Sequence, residues 1–168
     1  MVVSDPVLFA TATSFERKAA LADIDHKQLP AGLVPFLAET TKSNQKIFLG
    51  ELGIGLINAS INLALMINEI CPKKIIFIGL GGALTEDIGI GDIVCAESVF
   101  QHDSFRSKSD GKKFFLKPGV SSLERDDHID PKLYTDKNLN EKILNLLTDF
   151  TKNKIAKGVL ASGSEFVL

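Results

Sequence analysis

The sequence predicts an α/β fold built on a largely parallel or mixed sheet. Short apolar runs, Val7 to Ala10, Lys46 to Leu49, Lys74 to Gly79 and Ile155 to Leu160, alternate with longer helical stretches. Two of these runs lead into small-residue turns, Gly53-Ile54-Gly55 and Gly79 to Ala83. Such turns let a backbone come close to a ligand or to another backbone. A further strand, Ile93 to Val99, ends in Gln101-His102-Asp103. Polar groups just past a strand end are where an open α/β sheet usually keeps its site.

Taken in order, Val7-Leu8-Phe9-Ala10 reads as a buried first strand. Thr13 or Ser14 then caps a helix from Phe15 to about Leu21. Residues 26 to 45 carry Pro30 and Pro35 and are expected to be irregular or a short helix. After the 46–49 strand, Gly53-Ile54-Gly55 opens a helix from about Leu56 to Ile70. Ile57, Ile61, Ala64, Leu65 and Ile67 form its stripe, but it is apolar nearly all round, which predicts a mostly buried helix. Pro72 stops it. Strands follow at 74–79 and about 91–100. Residues 104 to 136 read as a long polar, insertion-like loop, expected to be mobile and to serve as a lid or an interface. Leu139 to Phe150 is patterned as an amphipathic helix, and residues 155–160 form the last strand.

The whole chain, 168 residues, has the size of one domain, 1–168, long enough to bury its own core. The formal net charge of −2 excludes an electrostatic case for nucleic acid. No apolar stretch approaches the ~20 residues that span a bilayer, and no signal peptide is visible. Cys71 and Cys95 form no Cys-x-x-Cys motif, so two reduced, mostly buried thiols in a cytoplasmic protein are expected. No His/Cys/Asp cluster has metal spacing, and no metal or organic cofactor is expected.

Three places hold candidate chemistry. Glu16 lies just beyond the first strand. It reads either as a carboxylate that takes a proton from water or as a first-turn glutamate favoured by the helix dipole. Gly53, Ile54 and Gly55 precede a helix, where free N–H groups make an anion or hydroxyl site, or simply allow tight packing. His102-Asp103 reads as an acid/base pair or a strand-end anchor.

The residues Gly79, Gly81, Gly82, Gly91, Asp92, Ile93, Val94, His102 and Asp103, in that order, resemble the nucleoside phosphorylase superfamily. Within it they are most similar to the methylthioadenosine/S-adenosylhomocysteine nucleosidase branch, with futalosine hydrolase as a close relative. Gly53, Gly55, Asn58 and Ala59 also match that branch; Leu80 and Leu56 depart from it. The resemblance implies a three-layer αβα fold with a twisted, mostly parallel or mixed central sheet. It implies hydrolysis of the N-ribosidic bond of a 5′-modified purine nucleoside, without cofactor, in a homodimer or larger homo-oligomer. Glu16 matches the glutamate that activates the attacking water. Gly53, Ile54, Gly55, Gly81, Gly82, Phe166 and Val167 fall at nucleoside-binding places, with Phe166 stacking on the purine. The matching His-Asp pair is structural in that branch.

The phosphorylase Gly-Asp-Pro-x-Arg pattern is absent, and Arg17 stands outside such a context, so water is the expected nucleophile rather than phosphate. Ser60 is offset from the phosphate-holding serine, and Ser164 replaces the family's aspartate. The sequence stops at Leu168, before the family's ribose-gripping Met-Glu and the acid that protonates the purine; Asp126, Asp127 and Asp130 are ad hoc substitutes. A C-terminally truncated domain is therefore expected, a poor enzyme alone and prone to self-association through uncovered apolar surface. The readings left beside hydrolysis are a non-catalytic nucleoside-binding or interaction protein and a phosphate-dependent phosphorylase.

Overall fold

A computed structural model describes residues 4–30, 32–118 and 130–164. They fold as two compact units, divided after Gly81.

The first unit holds β1 (Ser4–Thr11), α1 (Ser14–Leu21), β2 (Lys27–Gln28), β3 (Phe36–Lys42), β4 (Gln45–Glu51), α2 (Leu56–Ile70) and β5 (Lys74–Phe77). Its sheet runs β2-β3-β4-β1-β5. β1 is parallel to both β4 and β5, whereas β2, β3 and β4 are joined antiparallel. Pro6 sits where the β1–β4 register shifts, so its missing N–H interrupts no regular ladder. Alternation along the strands sends Leu8, Ala10, Leu37 and Phe48 to one face, where Met66 and Ile70 of α2 complete a core. Phe36, Ala38 and Leu49 point to the other face, with Phe9 and with Ala20 and Leu21 of α1. The unit is thus a sheet covered by one helix on each side, the layering expected.

The structure corrects the reading of residues 26 to 45. They contain β2 and β3, and β3 turns into β4 through Ser43 and Asn44, both at positive φ. Two successive positive-φ residues are the signature of the tight hairpin turn whose twist suits the strands. The signal was hidden because β3 is buried at Phe36, Leu37 and Ala38 and then exposed at Thr41 and Lys42, with no regular alternation.

The bounds of α2 are those expected, but the helix is not mostly buried, and its buried face is not the expected stripe. Asn62, Met66 and Ile70 point inward, while Ile57 and Ile61 are exposed. A helix apolar all round gives no moment to choose a face. Here the choice is marked by Asn62, whose amide donates to the Leu52 carbonyl at 2.8 Å. α2 ends on Cys71 in the left-handed region, just before Pro72. Cys71 is exposed and Cys95 half-buried, contrary to the expectation of two mostly buried thiols.

The second unit holds β6 (Ile93–Gln101), β7 (Phe105–Ser107), β8 (Lys113–Phe115), β9 (Leu133–Tyr134), α3 (Lys137–Phe150) and β10 (Ile155–Ser162). β6 lies between β10, parallel to it, and β9, antiparallel. α3, capped by Asp136 through Leu139 N–H at 3.0 Å, connects β9 to β10 and packs on β6 and β10. The segment 104–136, read as a loop, contains the β7–β8 hairpin and β9. Asp126 and Asp127 lie outside the described residues.

Candidate functional site

Parallel strands end on the same edge, and in the first unit that edge gathers three segments. β1 leads into Ala12 to Glu16, β4 into Leu52 to Gly55, and β5 into Ile78 to Gly81. Two backbone bonds lock them together: Leu52 N–H to Thr11 O at 2.8 Å, and Ile78 N–H to Ala10 O at 2.9 Å.

Glu16 stands at the centre of this edge. Thr13 is the N-cap of α1 and forms a capping box with Glu16. The Oε2 atom accepts from Thr13 N–H at 2.8 Å, from the Thr13 hydroxyl at 3.0 Å and from Ala12 N–H at 3.0 Å. In return the Thr13 hydroxyl accepts Glu16 N–H at 3.2 Å. The Oε1 atom accepts Leu80 N–H at 2.9 Å. Partial burial pushes the carboxyl upward, but the bonds from Leu80, Thr13 and Ala12 outweigh it and hold Glu16 below its ordinary value. Glu16 is therefore both a helix-capping glutamate and an ionised acceptor drawn to a strand end.

The same contact explains a glycine. A Cβ on Gly79 would lie 2.8 Å from Glu16 Oε1, too close for any side chain unless the carboxylate moves. At Gly81 and Gly82 a Cβ would meet nothing within 4 Å among the described residues. Sequence reasoning chose Gly81 and Gly82 as pocket residues, while the glycine required by close approach to Glu16 is Gly79. Leu80, the departure from the family pattern, uses its backbone N–H, and its side chain is exposed. The type of side chain there has no bearing on the contact.

Gly53 and Gly55 have φ of 82° and 94°, values that favour glycine. Gly55 is the N-cap of α2, and no side chain caps that helix. Ile54, between them, is exposed and accepts an amide proton from Asn58 at 2.8 Å. These features leave the start of α2 open beside the Glu16 edge. Arg17 is committed elsewhere: its guanidinium lies 2.9 Å from Glu51 and stacks 4.0 Å from the Phe36 ring centre.

In the second unit, His102 and Asp103 act as an anchor. His102 N–H donates to Ser162 O at 3.0 Å, and the imidazole fills the space that a Cβ on Gly163 would need. Asp103 Oδ2 accepts Ser164 N–H at 2.6 Å, and Oδ1 accepts from Gln101 at 3.0 Å. The Ser164 side chain, the Ser164 amide and Gln101 together lower Asp103 to about 2. Phe166 and Val167 lie outside the described residues. Among the described residues, no group of three or more His, Cys, Asp or Glu is placed to hold a metal. No described helix is long and apolar enough to cross a membrane.

An ionised carboxylate and an uncapped helix start thus share the carboxyl edge of an open α/β sheet, the edge where such sheets usually bind small molecules. Residues 6–168 match the model of the phosphorylase superfamily, and the chain belongs to that family. It is 30% identical over 126 residues to the 5′-methylthioadenosine/S-adenosylhomocysteine nucleosidase of Staphylococcus epidermidis. That match covers 74% of this chain and 50% of the relative, so the chain spans about half the length of the curated protein it resembles. Among solved structures it is similar to a futalosine hydrolase mutant of Helicobacter pylori, with a TM-score of 0.79, 23% identity, and 98% and 70% of the two chains covered. It is also similar to a mutant nucleosidase of the same organism with 5′-methylthioadenosine in its active site, at a TM-score of 0.80 and 23% identity over 98% and 67%. These two likenesses establish the fold.

Proposed function

We propose that this protein hydrolyses the N-ribosidic bond of a 5′-modified purine nucleoside, of the methylthioadenosine/S-adenosylhomocysteine or futalosine type. The observation that carries the proposal is Glu16, held as a carboxylate at the carboxyl edge by Thr13, Ala12 and Leu80. Among the described residues Oε1 accepts one bond, from Leu80, and retains a lone pair for a water O–H.

In the reaction the C1′–N bond breaks and its electron pair leaves with the purine, which takes up a proton. The water oxygen bonds to C1′. As that bond forms, the water proton becomes acidic and passes to Glu16. The carboxylate is ionised at neutral pH, so it can accept the water O–H and take its proton once the bond to C1′ has formed. Its negative charge also favours the oxocarbenium character of the sugar. The nucleoside would lie over the Gly53–Gly55 turn and the run that begins at Gly79.

The family match runs unbroken from 6 to 168, which supports assigning both units to one phosphorylase-like domain. A cytoplasmic homo-oligomer is part of the proposal; the exposed Ile54, Ile57 and Ile61 at the start of α2 supply apolar surface for self-association. Arg17 is held by Glu51 and Phe36, which favours water over phosphate as nucleophile.

The test is adenine release from 5′-methylthioadenosine by the full-length protein, with and without phosphate. Release in the absence of phosphate is expected. Nucleoside binding without release would support the non-catalytic reading instead, and release only with phosphate would support a phosphorylase.

A further inference from the structure

We propose that Thr13 is a positioning residue for Glu16, fixing which oxygen of the carboxylate meets water. The inference rests on the catalytic reading of Glu16 and deepens it. Thr13 is joined to Glu16 by three bonds, two to Oε2 and one from the Glu16 amide to its hydroxyl. With Ala12 N–H added, Oε2 has three donors against its two lone pairs and is saturated. Among the described residues Oε1 has a single donor, Leu80 N–H. The carboxylate is therefore asymmetric, with one acceptor position open, and that position is on Oε1.

The hydroxyl at residue 13 is the side-chain part of that asymmetry. Backbone N–H groups of Ala12 and Thr13 persist in any variant that keeps the fold, but the hydroxyl bond at 3.0 Å is made by the side chain alone. The hydroxyl donates to Oε2 and accepts from the Glu16 amide, so it ties the carboxylate to the backbone of its own helix turn. Without it Oε2 keeps its two backbone donors but loses its side-chain tie, so the carboxylate is less firmly held about its last torsion, a broad and soft one. Oε1 is then less closely fixed at the place defined by Leu80 and Gly79. Serine supplies the same donor and acceptor, whereas valine has threonine's shape and neither function.

Two measurements on the full-length protein separate this role from simple helix capping. One is the titration of the Glu16 side-chain carboxyl carbon, followed by NMR. The other is the pH profile of adenine release from 5′-methylthioadenosine. In Thr13→Val the Glu16 titration and the acidic limb of the profile should both move to higher pH, with turnover reduced about tenfold or more. Thr13→Ser should restore both to the parent positions. Thr13→Asn, which keeps a helix cap, checks that any loss does not follow from an unravelled α1. An acidic limb and titration unchanged in Thr13→Val, while Glu16→Gln abolishes release, would overturn the positioning role and leave the catalytic reading standing. Release retained in Glu16→Gln would overturn the reading on which the inference rests.

Discussion

The backbone N–H of Leu80 donates to Glu16 Oε1 at 2.9 Å across a sequence separation of 64 residues. This bond ties the end of β5 to the start of α1 and places the carboxylate against Gly79.

A methyl group at Gly79 should therefore act on Glu16 rather than on the fold. Its Cβ would sit 2.8 Å from Oε1, at the far end of a side chain otherwise pinned by Thr13 and Ala12. Moving a reacting group by about 1 Å can cost roughly a hundredfold in rate. Gly79→Ala is expected to lower turnover by about that factor with only a small change in thermal midpoint. A collapse of stability with normal turnover in the remaining folded protein would count against the arrangement.

Gly82→Val probes the neighbouring position differently. A Cβ there meets no atom of the described residues within 4 Å, so folding should be preserved. Nucleoside uptake should be blocked, as measured by titration calorimetry with 5′-methylthioadenosine. Normal binding would remove Gly82 from the pocket.

The core makes a prediction free of the functional reading. Met66 is fully buried between α2 and the sheet, beside Gly50. Met66→Ala should destabilise by about 2–5 kcal/mol through the cavity it leaves. Gly50→Ala should also destabilise, by roughly 1–3 kcal/mol, because its methyl meets the Met66 side chain. The double variant should cost less than the two single costs combined, since the new methyl fills part of the cavity. Denaturant titration of the four proteins measures this, and strict additivity would contradict it.

Asp103 gives a pH-dependent prediction. Its folded value of about 2 lies below the ordinary 3.8, so its bonds to Ser164 and Gln101 stabilise the fold above about pH 4. That contribution is lost as pH falls from about 4 through 2. Against Asp103→Asn, the parent's advantage in unfolding stability should be full near neutral pH and shrink across this window. A gap independent of pH would show that the Asp103 carboxylate carries no such linkage.

Much of this fold was legible because it is written in periodicity and punctuation. The bounds of α2 follow from an apolar run between Gly55 and Pro72, and the sequence narrows the α1 cap to Thr13 or Ser14, of which the structure uses Thr13. β3 was not legible, because its apolar residues cluster at one end and its tight turn is made by Ser43-Asn44 without a glycine. Glu16 was identifiable from its position and its family match. Its partner was not, since the bond comes from a backbone amide and any residue at position 80 except proline carries one. Gly79 was visible as one of a run of small residues, but only the approach of Oε1 distinguishes it from Gly81 and Gly82.

The central claim is that the Glu16 carboxylate activates water. The most direct measurement is adenine release from 5′-methylthioadenosine by full-length Glu16→Gln, with nucleoside binding measured in parallel. The amide keeps the shape and can still accept the Leu80 N–H, but it cannot take the water proton. Turnover abolished, with binding largely intact, is the predicted result. Turnover within severalfold of the parent protein would contradict the account.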